Sequence, residues 1–510
     1  MSENFVTLPR DSNQALGLGR FAIDFLSGRL GAPGELALRS VERFHLDSVA
    51  CAVSALALGT NAPHVLRDEA LEYAVADPAR GASCFGSRVC VQPEKAVAAN
   101  CAAVREWDSN GTNFGYHPAL GHTAGEFGHN DFYPVVVAAA QLRPIDGDRT
   151  ALAMLLLDEI RGRLAEVYSL KSHKIDHVVH GAIASAAVFG ALVGATAEQI
   201  ESALGLLVAH YIPFRAIRAG KQLSDSKGAS AALSTEMAIT SVRRAMRGFV
   251  GPADVFRNPE AIFCLFEPPP KQGESPFDLT LAVSGDDFAV RGMHFKLGLY
   301  EHQSAGAIQG LIDLLRRHPA LLADESRIVR LRIKIYQPAF GIIGDPAKRD
   351  PRTRQSADHS MVYIIATLLR KALTVRTAGW KELMLMPADY DDAALSDPLT
   401  RRLMERIEFE HGGPEYDAKY PDGIPTSLEI EHAELGRLTS GLVMYPAGHA
   451  RYPGDDLAPL LDHKFQLLAG LGVDDPAALH QRCDRLRGKT AAEMAELYAF
   501  PIKNCGNEAV

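Results

Sequence analysis

The chain is poor in the patterns that most cofactor and metal sites require. Its seven Cys stand at 51, 84, 90, 101, 264, 483 and 505 and include no CxxC pair. An odd number at irregular spacing excludes a disulfide framework or a zinc ribbon and suits a reducing compartment. No GxGxxG follows a strand-like run, and neither GxSxG nor HExxH occurs. The nearest approach to a P-loop, Gly488-Lys489-Thr490, has Cys483 where the first Gly belongs. Positive charge is short too: 53 Lys+Arg against 62 Asp+Glu leave a net charge of −9, so no general basic surface for nucleic acid is expected. Long apolar runs are missing. Gly181 to Ala197 comes nearest to a membrane span, but it is built largely from small residues and predicts a tightly packed internal helix. Glu3, Arg10, Asp11 and Arg20 interrupt any signal core over Met1 to Arg20, so a cytoplasmic protein with no membrane partner is expected.

What is present is an ordinary globular composition, 47% hydrophobic and 23% charged, in a chain of 510 residues, long enough for two domains. The first half reads as helices over Glu35 to Leu58, Lys95 to Trp107, Tyr133 to Leu142, Thr150 to Tyr168, Ile183 to Val193 and Ala197 to Val208. Glu267 to Pro276 carries four Pro and marks a linker or long loop. Beyond it the period changes to two. Arg327 to Tyr336 predicts a half-buried strand, with Ile328, Arg330, Arg332, Lys334 and Tyr336 on one face and Val329, Leu331, Ile333 and Ile335 on the other. Ser427 to His432 and Arg437 to Tyr445 predict two more strands, and helices are expected near His359 to Leu373 and Ala394 to Arg406. The helical pattern returns at Leu457 to Leu468, Pro476 to Leu486 and Ala491 to Phe500. The expected architecture is mainly α: a large all-α helical domain from residues 1–280, an inserted smaller α+β lid over 281–448, and helices of 449–510 that rejoin the first domain.

Four stretches could carry chemistry. Arg105 to Thr112, leading to Phe127-Gly128-His129-Asn130-Asp131, holds one of two Trp and places Asp108 and His129 near helix ends. On the residues alone, structural roles come first: Asp131 as N-cap before Pro134, and Asp108 as a turn that ends its helix. His117, His122 and His129 match no common zinc spacing, so no metal site is expected there. Arg215 to Gly228 gathers Arg215, Arg218, Lys221 and Lys227 around Asp225, which reads as a loop lining a cleft for anions. His294 to His302 and the group His173, His177 and His180 complete the set. Several His, Lys and Asp in glycine-marked loops point to acid–base chemistry without a nucleophile elbow or a metal.

Taken in order, Trp107-Asp108-x-Asn110-x-Thr112, Gly125-Glu126-Phe127-Gly128-His129, Asp176-His177, Arg215-x-x-Arg218 with Lys227, Phe295-Lys296 leading to His302-Gln303-Ser304, and Tyr445-Pro446-Ala447-Gly448-His449-Ala450-Arg451 resemble the MmgE/PrpD family. The resemblance covers about residues 35 to 500 and implies a cofactor-free homodimeric lyase, with a lid over a helical domain, acting on a small polycarboxylate. It implies that Asp108, His129, His177, Lys227 and His302 are catalytic, and that Thr112, Arg218, Lys296 and Tyr336 bind substrate. Dehydration of a hydroxy-tricarboxylate needs a base, an acid on the leaving oxygen and cations on the carboxylates. Decarboxylation or epimerisation in the same pocket is the alternative, and a non-catalytic carboxylate-binding protein is a third. Asn130-Asp131 and the long Thr112–Glu126 loop depart from the family pattern beside the pocket, so the substrate is expected to differ from that of the relatives.

Overall fold

Small residues decide how the helical body packs. In the computed structural model, which describes residues 4–218, 222–342 and 346–505, the Asp225–Ala245 helix packs chiefly against Pro93–Arg105, Val178–Val193 and Ala197–His210. Its inward positions are mostly Ala, Ser and Gly, which let neighbouring backbones approach closely. The apolar run at Gly181 to Ala197 falls within the Val178–Val193 helix, which is buried on nearly every side. Among the described residues no single helix is long and apolar enough to cross a membrane. The expected helices of the first half are present with ends shifted by a few residues, and Gln14–Leu26 and Asn61–Glu72 join them. At the other end of the chain, Leu457–Gly472 packs on Glu35–Ala57.

The mainly α chain also carries short ladders that periodicity could not register. Phe5–Leu8 pairs with Leu279–Ala282, so the proline-rich segment over 267–276 returns the chain to the helical body. Thr112–Asn113 pairs with Gly128–His129, placing Thr112 opposite His129. The larger sheet has four strands in the order Gly436–Thr439, Thr426–His432, Ile328–Ile335, Ile407–His411, the last pair parallel and the others antiparallel.

Several expectations are corrected in this sheet. A register shift between Ile328 and Arg330 turns Ile328 inward with Leu331, Ile333 and Ile335 and leaves Val329 half exposed, while Tyr336, one residue beyond the strand, is fully buried. The last strand stops at Thr439 because Gly441 takes a left-handed conformation, and pairing resumes only at Val443. Ala394 to Arg406 is two short helices, the second opened by Asp397 and Pro398. Arg215 to Gly228 is not one loop either: Lys227 and Gly228 lie in the first turn of the Asp225–Ala245 helix, and Lys221 lies outside the described residues.

Candidate active site

The Pro93–Arg105 helix ends three residues before Asp108, which adopts a left-handed backbone (φ 52°) that Asp tolerates better than most side chains. That turn points the carboxylate into the protein, where it is fully buried. Arg105 bonds one of its oxygens, Lys296 Nζ lies 2.7 Å from the same oxygen and 2.8 Å from the Asp108 carbonyl, and His359 Nε2 lies 3.1 Å from the other oxygen. Lys227 Nζ is 3.9 Å away. Burial alone would protonate Asp108, but Arg105, Lys296 and Lys227 together hold it well below the usual carboxylate range. Asp131 is not the expected N-cap; it accepts from Asn110 and sits 3.6 Å from Arg105, because Phe132 takes the position before the helix.

A second carboxylate layer holds the lysine. Lys227 donates to Asp358 at 3.2 Å, and Asp358 also meets His359 Nδ1 at 2.5 Å and Arg354 at 3.1 Å. Arg354 in turn bonds Glu106 and lies 5.0 Å over the Trp107 ring. Burial lowers Lys227 to about 8 despite Asp358 and Asp108, and lowers His359 to about 4. Donor atoms of Asp108, Asp358 and His359 lie within 4.8 Å of one another, a spacing that suits a metal ion. The chemistry of the set does not: ammonium groups of Lys227 and Lys296 already face the same oxygens, and a cation placed among them would be repelled. The group is an ion-pair network.

Above this network lies a cavity of about 100 Å³. It is lined by His129, His177, Lys227, Glu301 and His359 together with Lys171, Arg215 and Arg218. The His129 and His177 rings are 5.2 Å apart between centroids. Burial first, then Arg105 and Lys296, keeps His129 well below the usual imidazole range, and burial does the same to His177 although Asp176 opposes it. Both rings are therefore neutral at neutral pH. Arg218 is bonded to Asp176 and lies 3.1 Å from His177 Nε2. Arg215 forms no ion pair among the described residues, and burial together with Arg218 lowers its basicity.

Of the residues singled out in the sequence, His129, His177, Lys227 and Arg218 reach the cavity wall. Asp108 and Lys296 stand one layer behind, and Thr112 Oγ1 is bonded to the Gly128 carbonyl across the two-residue ladder. The His302 ring packs between Phe114 and His294 with neither nitrogen hydrogen-bonded among the described residues, while its neighbours Glu301 and Gln303 line the cavity. Tyr336 is buried against Tyr420 at 4.5 Å between ring centroids. His117 and His122 serve elsewhere, paired with Asp287 and Glu166. Sequence reasoning missed Glu301, Arg354, Asp358 and His359. Glu301 stood inside a stretch already noted, whereas Asp358-His359 precedes an ordinary helix and carries no local signal.

Residues 28–273 match the family model described as MmgE/PrpD N-terminal domain, and residues 300–485 match the MmgE/PrpD C-terminal domain. The 2-methylcitrate dehydratase of Escherichia coli (strain K12) is 25% identical over 394 residues, covering 75% of this chain and 76% of its own. That of Cupriavidus necator is 26% identical over 345 residues, covering 64% of each chain. A probable 2-methylcitrate dehydratase of Saccharomyces cerevisiae is 24% identical over 326 residues, covering 62% of this chain and 58% of its own.

Proposed function

This chain belongs to the MmgE/PrpD family, and from that premise we propose that it is a lyase that removes water from a small hydroxy-polycarboxylate, 2-methylcitrate or a close analogue. The observation that carries this reading is the gathering, around one small cavity, of neutral imidazoles, a buried lysine and two arginines. Elimination of water beside a carboxylate needs those parts. A neutral imidazole of His129 or His177 accepts the proton from carbon, and Lys227, charged below about pH 8, stabilises the negative charge that develops on the adjacent carboxylate. Arg215, with no ion pair of its own among the described residues, is placed to hold a remote carboxylate in fork geometry. Asp108, Asp358 and His359 act through Lys227 by fixing where its ammonium sits.

Two measurements test the reading. Purified protein is expected to form an alkene, seen by ultraviolet absorbance, from at least one of 2-methylcitrate, citrate or a near homologue, and to keep doing so after exhaustive chelation. Release of carbon dioxide without alkene formation from these acids would favour decarboxylation instead. Arg215→Gln is expected to raise KM by about 10- to 100-fold with a smaller change in kcat, since a lost charged hydrogen bond is worth about 1.5–3 kcal/mol. An unchanged KM would remove Arg215 from substrate binding.

A further inference from the structure

We infer that Glu301 is the acid that protonates the departing hydroxyl, a role that rests on the dehydration proposed above. The residue is buried, yet its side chain borders the cavity beside Lys227, His129, His177 and His359. Its position is fixed from both ends. The backbone N–H of Glu301 donates to the Asp358 carbonyl at 2.8 Å, and its Oε2 accepts from the Gln303 N–H at 2.9 Å. The other oxygen has no hydrogen-bond partner among the described residues. No ion pair is formed by Glu301 among them either, because Lys296, the buried cation that would neutralise it, is committed to Asp108.

A carboxyl in that setting holds its proton. Burial and the nearby Asp108 charge raise Glu301 to about 8, against smaller opposing effects of Lys296, the Gln303 amide and Lys348. Function requires the same state, for an ionised Glu301 would repel a polycarboxylate entering the cavity. Protonated, it is the one carboxylic acid among the described residues lining the cavity, which it shares with the neutral rings assigned as base. A protonated acid and an unprotonated base around one cavity are what elimination of water needs.

The C–H proton first passes to the imidazole of His129 or His177, leaving its electron pair on a carbanion stabilised by the adjacent carboxylate, and that pair then becomes the second bond of the alkene. The C–O bond breaks with its electrons on oxygen, which takes the Glu301 proton and leaves as water. After product release the imidazolium loses a proton to solvent and the Glu301 carboxylate regains one, so the net change is one alkene and one water per substrate.

Glu301→Gln separates this role from the rest of the site. With 2-methylcitrate in deuterated water, the variant is expected to form alkene about 100-fold or more slowly than the parent, while recovered substrate still gains deuterium at the carbon that loses its proton. The unfolding midpoint shows whether the variant folds, and if it does not, Glu301→Ala, which opens space, is read in the same way. Alkene formation within about threefold of the parent overturns the inference, as does equal loss of elimination and exchange in a folded variant. A parent protein that forms no alkene from any of the acids sinks the dehydratase reading and this inference with it. An active parent with an undiminished variant sinks the role of Glu301 alone.

Discussion

Asp108→Asn is expected to destabilise the protein by about 3–5 kcal/mol and to reduce turnover by about 10²- to 10³-fold. The Asp108 carboxylate is fully buried and faces Arg105, Lys296 and Lys227, with His359 on its second oxygen. Asparagine keeps the shape and removes the charge. Arg105 retains Asp131 at 3.6 Å and Lys227 retains Asp358 at 3.2 Å, but Lys296 loses the only carboxylate it pairs with among the described residues. An ammonium left buried without a counter-ion is the costly half of a broken pair. Equilibrium unfolding by denaturant measures the loss. Combining the change with Lys296→Met removes the stranded charge and is expected to recover part of the stability but none of the turnover, because Lys227 still lacks its second carboxylate. A single variant as stable as the parent within about 0.5 kcal/mol would show that Asp108 is not the centre of this network.

The same network explains what the sequence could and could not disclose. The helices were readable because each carries its period within a dozen or so residues, and Ile328–Ile335 because eight residues suffice to show alternation. The bulge at Val329 breaks that alternation through one backbone irregularity, which leaves no mark on residue types. The ladder that sets Thr112 against His129 is two residues long, too short for any period. Asp108, Lys227 and Lys296 entered through family resemblance and not through spacing, since both lysines meet Asp108 across gaps of more than a hundred residues. Arg354, Asp358 and His359 illustrate the limit: all three surround Lys227 and Glu106, yet in the sequence they precede a commonplace amphipathic helix. His302 enters through the family resemblance, whereas Glu301 does not. The fold buries the His302 ring against Phe114 and His294 and brings Glu301 to the cavity lining.

Turnover is expected to stay level on the acid side through the ordinary imidazole range and to fall as pH rises through about 8. The base must be neutral. His129 is kept so by burial, Arg105 and Lys296 against Asp108, and His177 by burial, Arg218, Arg105 and Arg215 against Asp176, so lowering pH to about 6 protonates neither ring. The groups that must carry a proton behave oppositely. Lys227 is brought down to about 8 by burial, Arg105 and Arg354 against Asp358 and Asp108, and Glu301 is brought up to about 8 by burial and Asp108 against Lys296 and Lys348. Raising pH through that value removes the lysine charge and the glutamic proton together, and both losses slow elimination. Lys227→Met tests the larger share, because it deletes the cation facing the developing carboxylate charge and leaves Asp358 paired with Arg354 and His359. A fall of about 10²- to 10³-fold in kcat is expected, with the alkaline limb that remains belonging to Glu301. An acid limb near pH 6.5 in the parent protein would mean that the rings are exposed to ordinary protonation, contrary to their burial beneath the cavity.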